Sequence, residues 1–191
     1  MNELPLPRDL EAPVGALVRE LAEHLGERRV VEICIGLLTG DDRADHADEM
    51  PYFTGVVFDE ESPIFYPAQW KDYWVRTWGA RGLLYVWDDS AAQAVIGGLG
   101  DEHWRPAEMC LKVSTKRGIG EAGPRAAELA IDAELARVRV QALRTLGTVG
   151  DTEHLEVVRG RLDDEDPAVR RQAGRSLEQL ARRLDVDVEP W

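Results

Sequence analysis

The stretch from Val138 to Leu184 repeats the pattern of Val75 to Met109 at a shift of 63 residues, and it repeats itself at a shift of 31. Leu83 falls on Leu146, Val86 on Val149, Asp88 on Asp151, Val95 on Val158, Leu99 on Leu162 and Asp101 on Asp164. At the shorter shift Val138, Arg139 and Ala142 fall on Val169, Arg170 and Ala173. A period of this size marks a stacked array, because one two-helix unit cannot bury its apolar face alone. Arrays of this kind offer long surfaces. The pattern therefore predicts a protein that holds a partner rather than one that turns over a substrate.

Within each unit the spacing predicts helix, short turn, helix. Gly150 and Asp151 close one helix and open the next. Leu155, Val158 and Leu162 then give a single buried stripe. The acidic run Asp163 to Asp166 and Pro167 mark the next helix start, where a missing N–H is harmless. Val169, Ala173, Leu177 and Leu180 form its apolar stripe. Val18 to Leu38 is a weaker echo, with Gly26 in the place of Gly150, and predicts helices near 10–25 and 28–39. Residues 41–66 break the phase as an insertion. DDRADHADEM reads there as solvated loop, and PYFTGVVFDEESPIFYP as a short hairpin or an irregular arm. A long helix over 68–87 resumes the pattern, and residues 185–191 form a short tail. The expected architecture is all-α: an α-α superhelix of about four helical pairs in one domain over 1–191, with an aromatic-rich insertion after the first pair.

Composition narrows the function. A chain of 191 residues that is 44% hydrophobic and 31% charged supports one real core. Its net charge of −13 disfavours nucleic acid, whose binding relies on Lys and Arg displacing counterions. MNELPLPRDL reads as neither a signal peptide nor an anchor, and Val30 to Leu38 is too short to span a bilayer. Cys34 and Cys110 have apolar neighbours and are expected as buried thiols, which suits a cytoplasmic location.

Residues 150–180 resemble a HEAT repeat of the short bacterial kind. The residues that carry the likeness are Gly150 and Asp151, Val157 and Val158, Leu162 and Asp164, Asp166 to Arg170, and Ala173 with Leu177. The middle copy keeps Asp132, Val138, Arg139, Ala142 and Leu146 but lacks the Asp-Pro pair. In the copy from Asp88 to Lys112, Trp104 stands where Pro167 stands. The resemblance implies an α-solenoid whose second helices line a concave face, and a scaffold or adaptor role. Some relatives are enzymes, namely phycobilin lyases and HEAT-like alkylpurine DNA glycosylases, so the fold does not assign the activity.

Charge is segregated between the helices. The three predicted second helices, 105–118, 136–149 and 167–183, carry twelve basic residues and two acids. Such a face attracts an acidic peptide through bidentate arginine contacts. The competing reading is that arginines such as Arg139 and Arg170 pair with loop carboxylates of neighbouring repeats. Aromatics are also concentrated: twelve of thirteen lie between Tyr52 and Trp104. Trp70, Trp74, Trp78, Arg81 and Tyr85 share one helical face, which reads either as core or as a binding patch with a cation–π shelf of Arg81 on Trp78. The candidate partner-binding residues are therefore Lys112, Lys116, Arg139, Arg144, Arg171, Arg175, Trp70, Trp74, Trp78 and Arg81.

Signals for chemistry are weak. Gly118 to Gly123 matches G-x-G-x-x-G, but the fingerprint requires a strand before it, so these glycines read as an interhelical turn. The carboxylates between Asp41 and Glu49 lack the order of a calcium loop. His24, His103 and His154 stand alone and read as surface or capping residues. No catalytic residue, cofactor or metal is assigned. The expected function is a non-catalytic module that binds a protein or acidic segment on its second helices, with the aromatic insertion as another surface. The alternatives are a nucleic-acid enzyme of the glycosylase type and a tetrapyrrole-binding, lyase-like protein.

Overall fold

The computed structural model describes residues 4–59, 61–66 and 70–187. The chain divides into two compact units, Met1–Gly98 and Leu99–Trp191. Among the described residues every regular element is a helix.

In the first unit α1 (Val14–Leu25) and α2 (Glu27–Thr39) form an antiparallel pair turned by Gly26, whose φ is 84°. Gly40 ends α2 in the left-handed region, and the N–H groups of Gly40 and Asp41 both close on the Gly36 carbonyl. Two short helices, α3 (Met50–Thr54) and α4 (Tyr73–Gly82), and then α5 (Ala92–Gly98) complete the unit. Helix α4 lies directly on α2 at Gly79, where an added Cβ would sit 2.6 Å from the Cys34 carbonyl oxygen. Glycine is required there because backbone meets backbone.

The insertion is better ordered than a solvated loop. Residues Arg43–His46 form a 3-10 turn with both end side chains buried, and Arg43 pairs with Asp72. No hairpin forms in the described part of the arm. Met50, Tyr52 and Phe53 are instead buried on α3, because three large side chains with a proline at the helix start fill the space beside α1 and α4. Ile64 anchors the end of the arm. The expected helix over 68–87 is shorter. It runs from Tyr73 to Gly82, and residues 67–69 lie outside the described part. After Gly82 the chain tightens into i to i+3 turns (Leu84 to Arg81, Tyr85 to Gly82), which seats both Leu83 and Val86 in the core.

The second unit has two layers. Helices α6 (Trp104–Arg117), α8 (Ala136–Val149) and α10 (Pro167–Leu184) lie side by side. Helices α7 (Gly123–Asp132) and α9 (Leu155–Gly160) cover one face. The predicted stripes meet between the layers: Val138, Ala142 and Leu146 from α8, and Val169, Ala173, Leu177 and Leu180 from α10, all buried. Each fully buried leucine or valine contributes about 1.5–3 kcal/mol relative to exposure. Gly118 caps α6 with φ 69°, and Gly123 begins α7, so these glycines do form the interhelical turn. Cys34 and Cys110 are buried free thiols, and burial pushes both well above the ordinary thiol range.

The sequence register is reproduced at the helix starts. Helices α4 and α8 begin 63 residues apart, as do α5 and α9, and α6 and α10. Their caps correspond too. Asp164 accepts from the Asp166 N–H, and Asp166 accepts from the Ala168 N–H. At the equivalent place Asp101 accepts from the His103 N–H, and His103 Nδ1 accepts from the Arg105 N–H. His103 thus caps its helix as an aspartate would, and His154 joins Asp151 in a capping box.

Candidate partner-binding face

Counted from their starts, the second helices carry a basic residue at the same position. Lys112, Arg144 and Arg175 are each the ninth residue of their helix, in α6, α8 and α10 respectively. All three reach the protein surface, Lys112 half-buried and Arg144 and Arg175 exposed. In the first unit the matching ninth residue is Arg81 on α4. A basic side chain therefore occupies one repeat position four times.

Their surroundings differ. Arg144 and Arg175 are exposed, as is Arg171 one turn before Arg175. Arg144 donates to the neutral Gln172 amide oxygen at 3.1 Å, and neither Arg171 nor Arg175 meets a carboxylate among the described residues. Lys112 lies 3.3 Å from Glu108, and Lys116 is exposed a turn further along α6. Arg137, on α8, forms a bidentate pair with the same Glu108 at 3.0–3.2 Å. Its guanidinium also lies 4.6 Å from the Trp104 ring centre, with Arg105 at 4.3 Å. Glu108 is itself buried, so it neutralises part of the upper end of the face and holds Arg137 flat. A shallow depression of about 390 Å³ opens here, lined by Lys112, Arg137 and Arg144, by the apolar Ala136, Val140 and Ala168, and by Gln141, Glu108 and Asp166. Beneath it the helices are tied by small polar groups: Thr115 and Thr145 hydroxyls lie 3.0 Å apart, and Gln141 donates to Thr115.

Arg139 belongs elsewhere. It is buried, its Nε and Nη2 hold the Asp164 carboxylate at 3.1 and 3.0 Å, and its Nη1 donates to the Ala133 and Glu134 carbonyls. Arg170 likewise donates to the Asp164 and Glu165 carbonyls of its own loop. The sequence reading of inter-repeat pairing thus describes Arg139, while Arg144, Arg171 and Arg175 remain outward. Burial raises the Asp164 carboxyl, but the Asp166 N–H and the Arg139 guanidinium outweigh it and hold the group below its ordinary value.

The aromatic candidates lie in the first unit. Trp74 and Trp78 stack at 6.5 Å, and Trp70 and Trp78 approach at 6.3 Å. All three rings are half-buried. Arg81 does not stack on Trp78. It turns to α3 and donates to the Phe53 carbonyl, and burial pushes its guanidinium below the ordinary arginine range. Trp104 and Arg137 are the features that sequence reading did not place among the binding candidates. The signal was present, since Trp104 occupies the first-turn position of Pro167 and faces the next helix start.

Two layers of antiparallel helices in a fixed register define an α-α repeat protein. More narrowly, residues 123–188, which include α7 to α10, match the family described as HEAT repeats. Among solved structures the chain is similar to the complex of CpcE and CpcF of phycocyanin lyase from Nostoc sp. PCC7120, with a TM-score of 0.55 at 15% identity over 95% of this chain and 70% of that one. No curated protein matches the chain. Among the described residues no helix is long and apolar enough to cross a membrane.

Proposed function

We propose that this chain is a non-catalytic adaptor that holds an extended acidic segment of another protein across α6, α8 and α10. The supporting observation is the row of ninth-position cations, of which Arg144 and Arg175 are exposed and lack a carboxylate partner among the described residues. Neighbouring helix axes in such layers are about 8–10 Å apart. An extended chain advances about 3.3 Å per residue, so carboxylates three residues apart match successive rungs. The depression at Arg137 and Lys112 offers the segment the apolar Ala136, Val140 and Ala168 at one end.

The test uses a dye-labelled peptide of repeated Glu-Gly-Gly and a control of equal composition with its glutamates in one block. The wild type binds the spaced peptide more tightly, and binding weakens with salt. Changing Arg144, Arg171 and Arg175 to Glu reduces affinity at least tenfold. Unchanged affinity in that variant would remove the proposal.

A second reading follows from the structural likeness to a phycocyanin lyase complex, which is a likeness of fold. A tetrapyrrole's carboxylates would meet the same basic row. Visible absorbance retained through purification from a pigment-containing host is the result that would favour it over an acidic peptide.

A further inference from the structure

The arm between α2 and α4 has two sides. Met50, Tyr52, Phe53 and Ile64 face inward and are fully buried. Of the other large apolar residues, Phe58 and Phe65 are half-buried and three are exposed. Val56 and Val57, which lead into Phe58, are 50% and 49% exposed, and Tyr66, which follows Phe65, is 45% exposed. Phe58 and Phe65 meet edge to face at 6.5 Å and, with Ala44 and Ala47, wall a cavity of about 560 Å³. Asp48 and Asp59 also line it. Contiguous apolar surface with a polar rim is the mark of an interaction site.

The charge around this groove selects the occupant. Residues 41–66 contain eight carboxylates and one arginine, a formal −7 in a chain of −13. The arginine, Arg43, is buried and pairs with Asp72. Asp45 and Asp48 are exposed and meet no cation among the described residues. Asp59 accepts from the neutral Ser62 hydroxyl at 2.7 Å. Carboxylates beside an apolar groove repel acidic partners and anionic lipid surfaces, and they complement a side chain such as Leu flanked by Lys or Arg.

We infer that the outer face of the 41–66 arm docks a basic amphipathic helix of a partner protein, its apolar side chains entering the Phe58–Phe65 groove and its cations meeting Asp48 and Asp59. This surface lies in the first unit and is independent of the basic row on α6, α8 and α10.

The probe is a dye-labelled, 14-residue amphipathic Leu/Lys peptide, with a Leu/Glu peptide as its charge-reversed control, titrated into the full chain. The wild type binds Leu/Lys saturably and leaves Leu/Glu free. Phe58→Ser with Phe65→Ser weakens binding at least tenfold. Because those rings are half-buried, Asp48→Asn with Asp59→Asn provides a second arm at exposed positions, expected to weaken binding three- to tenfold with an unchanged melting temperature. Glu153→Gln with Asp163→Asn, exposed acids of the other unit, leaves affinity within twofold. The inference is overturned if the peptide does not saturate the protein, if the Asn pair is without effect, or if the control pair weakens binding as much. It is equally overturned if sedimentation shows self-association that the Asn pair abolishes, since the occupant is then a second copy.

Discussion

Arg139 holds Asp164 through two parallel hydrogen bonds of 3.1 and 3.0 Å across 25 residues of chain, with only 8% and 5% of the two side chains exposed. This pair joins the start of α8 to the loop before α10, and Asp164 also accepts from the Asp166 N–H that begins the next cap. Removing either partner leaves a buried charge alone. We expect Arg139→Ala to cost about 3–5 kcal/mol in urea unfolding. Arg171→Ala, at an exposed arginine that meets no carboxylate among the described residues, should stay within about 0.5 kcal/mol. Similar losses at both positions would refute the clamp.

The same carboxylate gives the fold a pH dependence. Asp164 is held below its ordinary value when folded, so it binds its proton more weakly folded than unfolded. Its contribution is therefore present above the unfolded value of about 3.9 and is lost as the pH falls through that value toward the lower folded one. Wild type and Asp164→Asn should differ most at neutral pH and converge in acid. Urea midpoints measured between neutral pH and about pH 3 check this, and curves that stay parallel would contradict it.

Two glycines of the first unit should respond oppositely to alanine. At Gly79 the new Cβ meets the Cys34 oxygen at 2.6 Å and the Leu38 nitrogen at 2.7 Å, both backbone atoms that cannot step aside. Gly79→Ala should destabilise by about 1–3 kcal/mol. A Cβ added at Gly97, on α5, would meet nothing within 4 Å, so Gly97→Ala should stabilise by about 0.5–1 kcal/mol. Thermal melts of the two variants give the comparison.

His103 caps α6 where Asp166 caps α10. His103→Ala should cost about 1 kcal/mol, and His103→Asp should keep most of the wild-type stability. An alanine variant as stable as wild type would show that the ring nitrogen contributes nothing to the helix start.

Burial pushes the Cys34 and Cys110 thiols up, and neither is a useful nucleophile while the fold is intact. A colorimetric thiol reagent at pH 8 should react with both only after denaturant is added. Rapid reaction of the native protein would mean that the packing around one of them opens readily.

Helix starts, caps and apolar stripes were legible because their signals are local. A capping side chain and the stripe it precedes lie within a few residues, and the repeat multiplied each signal. Thus the shift of 63 residues carried over unchanged from sequence to helix starts, and the twelve cations of the second helices could be counted before their geometry was known. The fate of each cation was not legible. Arg139 and Arg144 lie five residues apart on one helix, yet one is locked to Asp164 and the other faces outward. That choice depends on partners 25 to 28 residues away, which only the packed layers bring within reach. The arm obeyed the same limit. Its composition showed aromatics and acids, but only tertiary packing sent Met50, Tyr52 and Phe53 inward and left Phe58 and Phe65 to line a groove on the surface.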